Sequence, residues 1–446
     1  MNKPNISAFT ATKPLGWCLS VAVAAILLIN AGNANAVLRI EITEGIVGGA
    51  PVAMVPFQWD GEGDGPDEDI AEIVSNDLGL TGRFTPLSRK DMLENPAARE
   101  ETNFLNWRVL GIDHVLIGRI KPAGNGKYML EYQLLDVFAE RTLFSYAMPV
   151  AKDRLRAAAH YISDQMYSTL TGEQGAFSTQ IAYVAAQQIR GRLYYRLTVA
   201  DSDGANAQVV WEDVQPIMSP TWSPTGNKLA YVSFQGGRAA IYVHDLRSGE
   251  RKRISSREGI NGAPSWSPNG DWIAMALSEG SNLDIFLHQV ETGRVKRLTT
   301  NPSIDTEPTW SPDSKTIAFT SNRGGAPQVY LMTLRDRSIK RITFEGDENA
   351  RPRFSPDGSK LAVITRDRGQ YRVGIVDMET RSLLVLTKGS LDESPSFSPN
   401  GAIIIYSNND GNKAELAAVS VDGRVKQRLS GEAGEVREPV WGPYIQ

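Results

Sequence analysis

At 446 residues the chain exceeds one average domain, and its 41% hydrophobic content suffices for ordinary globular cores, so two domains are expected. The net charge is −4, and residues 1–36 hold Lys3 and Lys13 but no acid, so the remainder is more acidic still. That argues against nucleic-acid binding, which needs a basic stripe, and the single cysteine, Cys18, excludes a disulfide framework or a thiolate metal centre.

The chain begins like an exported protein. Lys3 and Lys13 give a positive start, residues 19–29 are apolar, and Ala34-Asn35-Ala36 is a small-x-small cleavage site. Residues 1–36 are therefore expected to be a signal peptide cleaved after Ala36, the apolar run being too short to span a membrane well. Cys18 precedes that run and follows the bulky Trp17, which does not suit a lipoprotein. The mature chain then has no cysteine and depends on packing for its stability.

Residues 37–50 read as a strand and a tether. Leu38, Ile40 and Ile42 alternate with Arg39, Glu41 and Thr43, the pattern of a half-buried strand. Gly45, Gly48 and Gly49 follow and let it hinge away. Such a strand can join its own domain or add to a partner's sheet edge.

Residues 51–172 read as an α/β domain. A buried-type strand is expected over 52–55 and a helix over 69–80, where Ile70, Ile73, Val74 and Leu78 form a stripe. A short helix over 104–110, a strand over 114–117 and a hairpin of 128–138 with 141–150 come next. The clearest helix spans 153–170 and stops at Gly172. Asp60, Glu62, Asp64 and Gly65 start like a calcium loop, but the twelfth position is Ala71 where a bidentate Glu belongs. A solvated loop leading into a helix N-terminus, where acids are favoured, explains them better. Residues 173–179 are the expected linker.

Residues 180–446 are organised by a recurring stretch. It appears as Pro220-Thr-Trp222-Ser-Pro224-Thr-Gly226 and returns at Pro264, Pro308, Pro352, Pro395 and Pro439, with spacings of 44, 44, 44, 43 and 44 residues. A fixed period of this length marks a repeat architecture, and several short strands per period suit a β-propeller blade. The Ser-Pro-x-Gly run fits a type I turn, and the aromatic before it supplies packing area. An apolar strand follows each turn, starting near residues 181, 229, 273, 317, 361 and 403. The first of these has no aromatic-Ser-Pro strand ahead of it, while Pro439-Val-Trp441 has nothing after it. Ring closure by the C-terminal strand resolves both and gives six blades. The expected fold is an α/β N-terminal domain followed by an all-β six-bladed β-propeller.

Catalytic constellations are scarce. The sequence has no Gly-x-Ser-x-Gly elbow and no His-Glu-x-x-His. His244 and His288 lie 44 residues apart in the same slot of consecutive blades, and His114 and His160 suit structural or solvated positions. Recognition is therefore the expected activity. Strand alternation puts the loops leading into each Pro-x-aromatic strand on one face, together with the turns inside the blades. Loops on a rigid ring make a natural binding rim. A propeller hydrolase or a peptidase-associated regulatory propeller is the alternative, and a sugar or cation in the central channel is a third reading.

The signal, the α/β domain and the six Trp-Ser-Pro blades together resemble the TolB family, periplasmic components of the Tol–Pal system. The phrases Val55-Pro-Phe-Gln-Trp59, Leu110-Gly-Ile-Asp113, Asn261-Gly-Ala-Pro264 and Thr306-Glu-Pro-Thr-Trp310 are similar to the family's. The resemblance implies a monomeric adaptor without turnover or cofactor, supporting outer-membrane integrity and cell division. It implies binding of the lipoprotein Pal through a propeller face, with Ile260, Asn261, Ala263 and Thr306 carried over by position. Family members can carry His where this chain has Ile260. The lead-in loops add Asp305, Glu307, Arg351 and Glu393 to that expected site. The resemblance also implies binding of TolA by Val37, Leu38, Arg39, Ile40, Glu41 and Ile42, and adds bacteriocins as a further class of partner.

Overall fold

The Ser-Pro turn closes as its chemistry predicts. In a computed structural model, which describes residues 39–44, 48–409, 411, 413–430 and 434–444, the Gly226 N–H donates to the Ser223 carbonyl at 3.0 Å. The same bond recurs from Gly270 to Ser267, Ser314 to Ser311, Gly358 to Ser355 and Gly401 to Ser398. Proline sits second in each turn, where its locked φ suits type I geometry. Each serine hydroxyl also accepts the N–H five residues on, as from Lys228 to Ser223 at 3.0 Å and from Thr316 to Ser311 at 2.9 Å. The turn therefore joins an inner strand to the next one outward.

Six four-stranded antiparallel units result. Blade two, for example, runs Ile217–Trp222, Lys228–Ser233, Ala240–Asp245 and Arg251–Ser255 from the inside out. Blade one takes its inner strand from the other end of the chain. Glu435–Trp441 pairs antiparallel with Gln180–Ile189, with Trp441 opposite Ile181. The six-blade ring and its closure are as the sequence predicts.

Aromatics bind neighbouring blades together. The Trp222 indole of blade two donates to the Val440 carbonyl of blade one at 3.2 Å, and Trp310 of blade four donates to Ser265 of blade three at 3.1 Å. Between blades three and four, Ala274, Ile285, Trp310, Ile317 and Phe319 form one buried cluster. Trp266 fills the same position in blade three, but its indole nitrogen is buried without a partner.

The α/β domain is a mixed sheet in the order Phe84–Pro86, Ala50–Met54, His114–Pro122, Lys127–Asp136, Arg141–Ala151. Helices α1 (Ile70–Leu80) and α3 (Leu155–Thr171) cover one face, and the short α2 (Phe104–Val109) brings Trp107 against Val115 and Ile117 on the other. Asp69 caps α1 by accepting the Glu72 N–H at 3.0 Å, and Gly172 ends α3 at φ 76°. The strand beginning at His114 runs five residues beyond its expected end at 117. Phe84–Pro86 and Gln58–Trp59 were not anticipated, being too short to show a period.

The domain packs on the Ser-Pro-turn end of the ring. Asn400, in the turn of blade six, donates to the linker carbonyl of Gln174 at 3.2 Å. A Cβ at Gly82 would stand 3.3 Å from Ser420 and Val425, between the outer strands of blade six. One apolar cluster runs from Phe84, Tyr167 and Phe177 into Ile403, Leu416 and Trp441 of the propeller. The lead-in loops at the opposite end stay uncovered.

The N-terminal strand Arg39–Glu44 forms a fifth strand on blade six. It pairs antiparallel with Lys426–Ser430, Ile40 opposite Leu429 and Glu41 opposite Arg428. The signal-peptide expectation and the site residues Val37 and Leu38 lie outside the described residues. Among the described residues no helix is long and apolar enough to cross a membrane.

Candidate functional site

Four of the six lead-in loops end on a buried polar residue. Asn261, Asp305, Asn349 and Asp392 begin the inner strands of blades three to six, all at most 1% exposed. Their side chains hold the loops. Asn261 accepts from Ser255 at 2.6 Å and from the Arg257 N–H at 3.0 Å, and donates to the Arg257 carbonyl at 2.8 Å. Asp305 takes both oxygens to the Arg323 guanidinium at 2.9 Å. Asn261 and Asp305 were expected on the contact surface, yet their polar groups are directed inward, so they shape the rim.

The residue before two of them is an exposed isoleucine: Ile260, before Asn261, is 52% exposed and Ile304, before Asp305, 50%. These loops share their end of the ring with the turns inside the blades, as expected. The Ile260 N–H donates to Ser278 and the Ile304 N–H to Asn322, each at 2.9 Å. Both apolar side chains are thus held outward on anchored backbone. Ile304 opens the expected lead-in loop of blade four, and its place one residue before Asp305 matches that of Ile260 before Asn261.

Inside the loops, every inner strand bulges at the residue before proline. Ser219, Ala263, Glu307, Arg351, Ser394 and Glu438 all have φ between 46° and 56°. Non-glycine residues seldom adopt this region, and proline next in sequence disfavours α-type backbone further. The six-fold recurrence shows that ring geometry imposes it. These residues line the mouth of a central cavity of about 370 Å³, with Thr306 beside them.

Glu307, Arg351 and Glu438 form a charged layer there. Glu307 accepts from the Arg351 backbone N–H and from its Nε, both at 3.0 Å, and from Thr320 at 2.8 Å. Arg351 donates to Ser394 at 2.5 Å and stands 3.8 Å from Glu438, which takes the Ser219 N–H across the boundary between blades one and two. Burial would lower the Arg351 pKa, but Glu307, Glu438 and Glu393 more than offset it and hold it above its ordinary value. Glu393 itself is exposed on the rim. The face offers apolar contacts around a rigid polar centre, which suits protein recognition.

Among the described residues one group of side chains stands close enough to share a metal ion: His160, Asp201 and Asp203. Arg156 donates to the same Asp203 oxygen that faces His160, so that group is already compensated by charge. Asp60 of the acidic loop lies 3.5 Å from Arg119, and Trp59 donates to the Gly63 carbonyl at 3.1 Å.

Two family models match the chain. The one described as TolB amino-terminal domain spans residues 38–143, and the one described as TolB beta propeller domain spans 167–445. The chain belongs to the TolB family. It is 56% identical over 414 residues to the Tol-Pal system protein TolB of Thioalkalivibrio sulfidiphilus, covering 93% of this chain and 95% of that one. It is 58% identical over 418 residues to the counterpart from Methylococcus capsulatus, covering 94% and 97%. The crystal structure of TolB from Acinetobacter baumannii superposes with a TM-score of 0.84 at 41% identity, over 91% of this chain and all of that one. As a TolB-family member the chain is a component of a Tol–Pal system.

Proposed function

We propose that this TolB-family chain is a periplasmic adaptor without turnover, binding the lipoprotein Pal at the propeller rim and TolA through residues 37–42. In this role it supports outer-membrane integrity and constriction at division, and bacteriocins can use the same rim. The observation that carries the reading is the rim itself. Ile260 and Ile304 stand out from anchored loops on the end of the ring away from the α/β domain. Exposed apolar residues around a polar centre, on a scaffold that need not rearrange, are what a protein partner requires.

Calorimetry with the purified mature chain and the soluble domains of the two partners tests the proposal. Removal of residues 37–44 is expected to abolish TolA binding and leave Pal binding. Ile260→Asp should do the reverse. If either variant loses both partners with its fold intact, or neither, the two-site assignment is wrong.

A further inference from the structure

Beneath the charged layer the channel has a second layer of different chemistry. Two residues on from each bulge, the six blades place Thr221, Ser265, Thr309, Arg353, Ser396 and Val440 around the same cavity. Five inner strands thus supply a hydroxyl or an aliphatic group, and blade five supplies a guanidinium. There is no acid in this layer.

Arg353 has little to hold it. Among the described residues its one hydrogen bond runs from Nη1 to the carbonyl of its own neighbour Pro352, at 2.9 Å. None of their carboxylates comes within ion-pair distance of it. Glu307 is engaged by Arg351 and Thr320, and Glu438 by the Ser219 amide. Burial pulls the Arg353 pKa below its ordinary value; Glu307 and Glu438 act against that from the layer above, and Arg351 acts with it. Arg353 is half-buried on the cavity wall, and its guanidinium presents several donors in one plane. The hydroxyls of Thr221, Ser265 and Thr309 have no hydrogen-bond partner among the described residues, so they remain able to donate.

We infer that this lower layer binds a small free oxyanion, its oxygens taken by the Arg353 guanidinium and by the hydroxyls of Thr221, Ser265 and Thr309. Charge-assisted bonds from arginine suit carboxylate, phosphate or sulfate. Glu307, Arg351 and Ser394 line the same cavity above this layer and are tied to one another, so a small free ion suits the lower layer better than a side chain of a docked protein. The cavity of about 370 Å³ has room for such an ion with water. This reading opposes a cation in the channel, which the acidic upper layer alone would suggest.

The test uses the full mature chain and inorganic phosphate at fixed ionic strength, followed by 31P line width and by Tm. Saturable binding is expected in the wild type. Arg353→Thr, which restores the hydroxyl of the neighbouring blades, should weaken it about tenfold or more, and Arg353→Lys should retain most of it. Should Arg353→Thr fail to fold, Thr309→Val with Ser265→Ala keeps the cation and should still weaken binding several-fold. Absence of saturable phosphate binding, equal affinity in wild type and Arg353→Thr, or saturable terbium binding that Arg353→Thr strengthens in place of phosphate would each overturn the inference.

Discussion

His160 Nδ1 lies 2.8 Å from Asp77 Oδ2, joining α3 to α1 beneath the propeller. The imidazole's other nitrogen stands 3.4 Å from Asp203 of blade one, and both carboxylates and the ring are at most 7% exposed. Ser163 donates to Asp77 at 2.6 Å, and Arg156 bridges Asp203 to Glu68. Burial would lower the His160 pKa, but Asp77 and Asp203 outweigh it and hold the ring well above its usual 6.5. Asp203 moves the other way: burial alone would raise it, yet His160 and Arg156 keep it well below the ordinary carboxylate range.

Stability should follow those two directions. The raised His160 pKa contributes stability that is full below about pH 6.5 and lost as pH rises through the folded value. The lowered Asp203 pKa contributes stability present above about pH 4 and lost as pH falls toward its folded value. His160→Ala should therefore cost most between those limits, about 3 kcal/mol at pH 5.5, because it leaves the buried Asp77 carboxylate without a cationic partner. The cost should shrink in alkali, where the wild type has lost its own proton. Urea unfolding at pH 5.5 and pH 9 measures it, and a cost independent of pH would show that His160 is neutral in the fold.

The indole bridges between blades give a paired comparison. Trp222→Phe removes the bond to the Val440 carbonyl along with part of the ring, whereas Trp266→Phe removes a ring nitrogen that has no partner. Both tryptophans are under 10% exposed, so the packing loss is similar. Trp222→Phe should cost about 1 kcal/mol more, the net worth of one hydrogen bond. Equal denaturation midpoints would mean that the aromatic acts only by packing.

How much of this was legible depended on whether the determinant was local. The Ser-Pro-x-Gly turns could be read because serine, proline and glycine each carry the needed geometry within four residues. Closure could be read because one copy was missing at one end and one was in surplus at the other. The bulged residues could not: Ser219, Ala263, Glu307, Arg351, Ser394 and Glu438 share no chemistry, and their left-handed backbone follows from ring packing. The His160–Asp77 contact spans 83 residues and leaves no periodic signal. At the rim, the repeat located the loops, but spacing could not separate the buried Asn261 from the exposed Ile260.

That separation can be tested directly. Ile304→Asp places charge on an exposed apolar side chain and should weaken Pal binding about thirtyfold, the loss typical of a central contact, with Tm unchanged. Asn261→Ala should lower Tm instead, because it leaves the Arg257 N–H and carbonyl without the buried side chain that holds the loop. If Asn261→Ala weakens binding without touching Tm, the residue reaches the partner and the assignment of roles reverses.

The docked N-terminal strand makes the last prediction. Glu41 and Arg428 are facing Cα partners, and Arg428 lies on the outer strand of blade six. Cys18 is the chain's one cysteine and belongs to the expected leader, so introduced thiols in the mature chain have no native competitor. Glu41→Cys with Arg428→Cys should form a disulfide in high yield under mild oxidation, since facing residues on adjacent strands come within bridging distance. Glu41→Cys with Gln427→Cys should not, because residue 427 faces Ile42 and neighbouring residues point to opposite faces of the sheet. Mass spectrometry after thiol blocking reads both. Equal yields from the two pairs would mean that the strand moves freely in solution and that its pairing with Lys426–Ser430 is only one of several states.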